Sequence, residues 1–315
     1  MKKLTGKFTR QDFLSEVYVW KLFKDKGEDE LHLSPLLCTF EKPIGDGKSE
    51  YCLLLPWASG DLRKLWESIS SKGNRYSACW MVEQCWRIAE ALSVIHQDNE
   101  ERNPIKADGY EEQLYSRHGD IKPGNILWFS EHVGCETADT LVLADFGISK
   151  SHRSMTKSLS DPEKTKSSPT YKAPEFDSKG KLKIGRKSDI WGLACTWIEF
   201  ATWHVKGWQA VNDDFPNRRD EADPAHENIS QDMFFSVKNG DTVVKPGVVD
   251  WIKELQEDNG CSPFIRDFLS FIQEKMLLVD PTARATAGEV LVKMTEFLER
   301  IRSDSTYAKP PTTVM

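Results

Sequence analysis

Along the 315-residue chain the hydrophobic positions change period several times, and each change marks an element. Phe13, Val17 and Trp20 recur at helical spacing behind Thr9 and Asp12, which match a capping box, so a helix is predicted over residues 10–24. Residues 33–56 contain LLCTFEKPIGDGKSEYCLLLP, two apolar runs around a Gly-rich turn, and read as a strand pair. Ser59-Gly60 introduces a short helix at 61–69, and a stronger amphipathic helix follows at 76–97. Its stripe is Met81, Cys85, Ile88, Leu92 and Ile95. Residues 98–116 turn polar and read as an inserted surface loop. Two short apolar strands, 126–129 and 141–144, flank a Gly-containing loop, and the Ser-, Thr- and Lys-rich stretch 151–172 reads as mobile. SDIWGLACTWIEFATW, residues 188–203, is apolar almost all round, as a helix buried on most sides must be. Residues 212–228 are acidic and loop-like, helices resume at 247–257, 263–277 and 286–302, and the last dozen residues are expected to fray.

Composition narrows the class. A chain this long can bury a large core, as one bilobal unit or two modest domains, and 39% hydrophobic with 29% charged residues is ordinary for a globular protein. A net charge of -7 argues against a general nucleic-acid surface. No apolar run approaches the roughly 18 residues a membrane span needs. MKKLTGKFTR starts positively but has no apolar signal core, so the expected compartment is cytosol or nucleus. The seven cysteines form no C-x-x-C pair and read as reduced core residues. The eleven tryptophans include Trp80 with Trp86 and Trp191 with Trp197, on helical patterns that suit core packing.

The chemistry concentrates in RHGDIKPGNILWF, residues 117–129, where Asp120, Lys122 and Asn125 precede a strand. Phosphoryl transfer from a nucleotide needs metal ions to neutralise phosphates and a carboxylate to orient the attacking hydroxyl. Magnesium prefers oxygen ligands, commonly one or two carboxylates plus phosphate oxygens. ADFGISK offers a second such group, Asp145, directly after strand 141–144. If 126–129 and 141–144 pair as a hairpin, Asn125 and Asp145 come side by side at its open end, with Asp120 facing a substrate hydroxyl.

HGDIKPGNIL and DFG resemble the catalytic loop and metal-binding loop of eukaryotic-type protein kinases. The resemblance implies that Asp120 is the catalytic base, that Lys122 contacts the transferred phosphate, and that Asn125 and Asp145 hold Mg2+. Lys two residues after the Asp is the serine/threonine-kinase form. SSPTYKAPE resembles the end of an activation segment, with Thr170 at the substrate-facing position. SDIWGLA resembles the buried helix whose Asp, here Asp189, braces the catalytic loop, and Arg284 of DPTARATAGEVL matches the arginine that pairs with the APE glutamate, Glu175. The similarity extends over about residues 2–300. HGD with Gly in second position also resembles small-molecule kinases of the aminoglycoside and choline type, but those usually carry His at the place of Lys122 and lack the APE and DIWG segments.

Two departures qualify the resemblance. Gly119 stands where the family has an Arg that grips an activation-segment phosphate, which makes obligatory activation by such a phosphate less expected. The family's Gly-rich hairpin has no counterpart before MKKL, so the chain is expected to be N-terminally incomplete. Lys2 then matches the nucleotide-binding lysine and Glu16 its helix partner, with Lys3 as the alternative and a plain basic terminus as the bland reading. Finally, GDGKS at 45–49 ends like a phosphate loop but lies between strands with no long helix after it, and reads as a hairpin turn.

The resemblance also maps an adenine-binding hinge to Pro56, Trp57 and Ala58, with Leu55 before it and Leu127 beneath the adenine. His118, Phe146 and Trp20 match positions of the hydrophobic spine between lobes, and generic core packing suits them equally. The implied fold is α+β and bilobal: a truncated β-rich small lobe with hinge at 1–58, a complete, mainly α-helical large lobe at 59–302, and a tail at 303–315. The implied activity is ATP- and Mg2+-dependent phosphorylation of protein Ser or Thr, with ATP and a protein substrate as partners, no nucleic acid and no membrane. The alternative is an impaired or truncated kinase acting as a binding scaffold. Sequence leaves the oligomeric state and the substrate open.

Overall fold

Alternation of side chains about an extended backbone builds the first sheet. The computed structural model describes residues 2–4, 13, 17, 33–34, 36–45, 48–70, 76–96, 105–107, 110–112, 117–130, 139–145, 169–177, 184–222, 230–238 and 241–311. Strands β1 (Lys2–Leu4), β2 (Cys38–Gly45) and β3 (Lys48–Leu54) form an antiparallel sheet in the order β1-β3-β2. Gly45 sits opposite Lys48, so GDGKS is a hairpin junction as its flanking strands predict. The register shifts between Pro43 and Gly45. A proline that cannot donate to a ladder is tolerated there because β2 is an edge strand. Tyr51 and Leu53 share one face of β3 and are buried, and Phe13 stacks on Tyr51 with ring centroids 4.9 Å apart. Phe13 and Val17 are helical, which agrees with the helix expected over 10–24; its other residues, Glu16 and Trp20 among them, lie outside the described residues.

A connector, Leu55–Ser59, carries the chain to β4 (Gly60–Asp61) and helix α1 (Leu62–Ser70). The Asp61 side chain accepts from Lys64 N at 2.9 Å, occupying one of the helix's unpaired N–H groups. Helix α2 (Ala78–His96) buries its whole predicted stripe, from Met81 to Ile95. The polar stretch after it is not all loop: β5 (Ile105–Ala107) and β6 (Tyr110–Glu112) pair as a hairpin. Strands β7 (Ile126–Phe129) and β8 (Thr140–Leu143) are antiparallel, with Ile126 opposite Leu143, and β4 joins them in the order β4-β7-β8.

Helix α3 (Lys187–Lys206) is the centre of the large region, and every residue from Ser188 to Trp203 is buried. Around it stand α4 (Phe215–Arg219), the hairpins β9 (Glu221–Ala222) with β10 (Ser230–Gln231) and β11 (Phe235–Lys238) with β12 (Asp241–Val244), and then three further helices. These are α5 (Pro246–Glu257), α6 (Pro263–Phe271) and α7 (Ala287–Ser303). A reciprocal capping box starts α7: Glu289 N donates to Thr286 Oγ1 at 3.1 Å, and Thr286 N to Glu289 Oε2 at 2.7 Å. Among the described residues no helix is long and apolar enough to cross a membrane.

Two further expectations are corrected. Residues 212–228 are not simply a loop: a π-helical turn at Ala210–Asp214 runs into α4, because Phe215 is fully buried and stacks on Trp251 at 5.2 Å. The tail does not fray through Pro311, since Tyr307 is 1% exposed, its carbonyl accepts from Phe264 N at 3.0 Å, and its hydroxyl donates to Asp267 at 2.7 Å.

Candidate active site

The polar loop is held from below by one buried carboxylate. Asp189, in the first turn of α3, accepts from His118 N and Gly119 N, each at 2.8 Å, and from His96 Nε2 at 2.8 Å. Burial alone would raise the Asp189 carboxyl, but the bond from His96 and the positive charge around it, that of Arg117 included, hold it below the usual carboxylate range. Gly192, one turn further along α3, lies so close to the loop that a Cβ there would sit 2.8 Å from the Ile121 carbonyl oxygen. The absence of a side chain is what lets helix and loop meet. Gly119 takes φ 87°, a left-handed value that glycine adopts freely.

Above this support the three polar residues converge on one carboxylate. Asp120 Oδ2 accepts from Lys122 Nζ at 2.6 Å and from Asn125 Nδ2 at 3.1 Å, and Asn125 Nδ2 also donates to the Asp120 carbonyl at 2.7 Å. Asn125 is buried, and a 3-10 turn at Pro123–Asn125 aims it. His118 fixes the neighbouring strand end: its Nδ1 accepts from Asp120 N at 3.3 Å, so its Nε2–H donates to the Ala144 carbonyl at 2.9 Å. Burial depresses the His118 pKa against the pull of nearby carboxylates, which keeps the ring neutral. Ala144 N in turn donates to the Asn125 carbonyl at 2.9 Å. Asp145, the next residue, is therefore adjacent to Asn125 at the open end of the β7–β8 hairpin, and it is exposed with φ 67°. A non-glycine residue in that region carries local strain of the kind that concentrates at functional sites.

The donor chemistry fits magnesium. Asn125 spends its amide N–H on Asp120, which leaves its Oδ1 as an oxygen donor beside the exposed Asp145 carboxylate. Hard cations take such oxygens. Among the described residues no group of three or more His, Cys, Asp or Glu side chains is placed to hold a metal ion, so a cation here would draw on the Asn125 oxygen as well as the Asp145 carboxylate.

A sequence model of the protein kinase domain matches residues 7–294. The chain belongs to this family. A serine/threonine-protein kinase MPS1 of Encephalitozoon cuniculi is 38% identical over 82 residues, covering 26% of this chain and 12% of that protein. A probable cyclin-dependent kinase 8 of Dictyostelium discoideum is 25% identical over 259 residues, covering 76% of this chain and 59% of that protein. The chain thus spans less than two thirds of either relative.

The other expected residues of this kinase domain stand on three different elements. Leu127 on β7 is half-buried, and β4 lies across from it at Asp61. Pro56 and Ala58 are half-buried in the connector leading into β4, while Trp57 between them is 92% exposed. The backbone of Lys2 pairs with Leu53 in the adjoining sheet, and that of Lys3 with Cys52. The Thr170 hydroxyl donates to Asp232 at 2.7 Å. The expected Glu175–Arg284 pair is present as two parallel bonds of 2.8 and 2.7 Å, with both side chains fully buried.

Two site residues carried little signal in the sequence. His96 ends an amphipathic helix where a basic residue is ordinary, yet it is buried against Asp189. Arg117 is 3% exposed, its charge set against Asp189 and Glu175; burial lowers its pKa and those carboxylates oppose the shift. Only the RHGD spelling, with its Arg before rather than after the His, hinted that this residue was out of the ordinary.

Proposed function

We propose that this kinase domain transfers the γ-phosphoryl group of ATP to Ser or Thr hydroxyls of protein substrates. The observation that carries the reading is the convergence of Lys122 and Asn125 on the Asp120 carboxylate, above the Asp189 brace. Asp120 is the acceptor for the substrate hydroxyl's proton, and Lys122 supplies positive charge where charge develops on the transferred group. Asn125 and Asp145 would hold magnesium, whose chemistry is to neutralise the phosphate oxygens. Catalysis by such a site is mainly positioning and electrostatic stabilisation, so the rigid support beneath it matters as much as the reacting groups. Pro56 through its carbonyl, Ala58 through its N–H, and Leu127 beneath would receive the adenine. Lys2 with Glu16 would reach the α/β-phosphates. We assign the small lobe and hinge to 1–58 and the large lobe to the residues beyond, with buried Tyr307 extending it past 302.

The test is labelled phosphate transfer from ATP–magnesium to a generic basic protein, comparing the chain with Asp120→Asn. Transfer should fall by about 10²–10⁴-fold in the variant, as for loss of a positioned base. Undiminished transfer by Asp120→Asn would reject the assignment. Silence from both would favour a binding scaffold.

A further inference from the structure

Across a small cavity from the Asp120 loop lies the segment 169–173: Tyr171, Lys172 and Ala173 line that cavity together with Gly119, Asp120 and Ile121. Two successive residues of the segment are tied from behind. Thr170 Oγ1 donates to Asp232 Oδ1 at 2.7 Å, and the Tyr171 hydroxyl donates to Glu199 Oε2 at 2.8 Å. Glu199 is buried on α3, whereas the Asp232 side chain, just after β10, is 45% exposed.

Both carboxylates meet the same cation. Arg219 Nη2 lies 3.2 Å from Glu199 Oε1 and 3.6 Å from Asp232 Oδ2, and its Nε donates to the Asp232 carbonyl at 3.0 Å. The guanidinium is itself fixed, 4.1 Å from the ring centroid of Phe215 and 4.4 Å from that of Phe234. Behind it, the Arg219 carbonyl accepts from the buried Lys245 ammonium at 2.6 Å. A planar fork packed against two mutually edge-on rings can hold two carboxylates in fixed directions, which a flexible ammonium cannot. Burial raises the Glu199 carboxyl, and the Arg219 charge and the Tyr171 bond oppose that rise.

We propose that Arg219 is a positioning residue for protein-substrate recognition: through Glu199 and Asp232 it fixes Thr170 and Tyr171, and so presets the surface beside Asp120 on which the substrate peptide docks. This rests on the kinase reading above. The clasp consists of hydroxyl-to-carboxylate bonds, each worth about a factor of ten where an acceptor is charged. Its removal should therefore loosen the segment without reaching the nucleotide-binding residues.

Amide hydrogen exchange over 169–177 and steady-state kinetics test it together, on Arg219→Met and on the Thr170→Val/Tyr171→Phe double variant. The double variant leaves the buried ion pair whole, and so remains informative should Arg219→Met fail to fold. The expected result is exchange at least roughly tenfold faster over 170–173 with α7 unchanged. KM for the protein substrate should rise while KM for ATP holds. Unchanged exchange in the double variant overturns the clasp. Faster exchange with an unaltered protein-substrate KM overturns the recognition role. If the unmodified chain transfers no phosphate, the kinase reading fails and the recognition role with it, while the exchange arm still decides whether the clasp holds the segment.

Discussion

Asp189 and His118 illustrate how single buried groups set the behaviour of the site. The Asp189 carboxyl is depressed, so its contribution to stability is present above the ordinary carboxylate range and lost only as the pH falls through that lowered value. The histidines act in a milder window. His118 is held neutral by burial, and burial depresses His204 to about 4. In the unfolded chain both take up protons below about 6.5. Stability is therefore full above that pH and declines as the pH drops from about 6.5 toward about 4. Melting temperatures measured at pH 7, 6 and 5 should fall in that order, and His204→Gln should flatten the decline. A pH-independent melting temperature over this range would contradict the neutral buried rings.

At the scale of elements, the large region depends on contacts that sequence-distant pieces make with α3. The Arg284 guanidinium uses all five N–H groups: Nε to the Leu278 carbonyl at 2.6 Å, two to Glu175, and one each to the Lys187 and Val279 carbonyls at 2.9 and 3.1 Å. It thereby joins the 3-10 turn Pro174–Asp177, the start of α3 and the approach to α7. Breaking a buried pair leaves a charge uncompensated, so Arg284→Met should cost roughly 3–5 kcal/mol in denaturant unfolding. Arg284→Lys should recover only part of it, because three donors on one nitrogen cannot reach five acceptors. Full rescue by Lys would show that charge alone is required. The stripe of α2 and the all-round apolar character of α3 were readable in sequence because the period of a helix maps directly onto which faces are buried. α4 was not, since five residues with two arginines look solvated until Phe215 finds Trp251.

Considered as a whole molecule, the chain places its candidate nucleotide contacts where two sheets meet, along the connector between β3 and β4 and at the end of the β7–β8 hairpin. A ligand bound only by the folded chain stabilises it by mass action, by about 2.7 kcal/mol at a hundred times its Kd. ATP with magnesium should therefore raise the melting temperature, and ATP with chelator should raise it less. Asp145→Asn should abolish the difference, whereas an equal shift in the presence of chelator would remove Asp145 from metal binding.

By itself the sequence determined the order and type of the main elements and the convergence of Asp120, Lys122 and Asn125. Those features are local: periodicity, turn residues and a loop of nine residues carry them. Tertiary structure alone decided that His96 braces Asp189, that Arg117 is buried, that Thr170 turns to Asp232, and that Arg219 binds two carboxylates. Each of these joins groups far apart in the chain or depends on how packed elements exclude water. A charged residue in sequence looks the same whether it ends in solvent or in a core, and only packing supplies the partner that makes the buried position affordable.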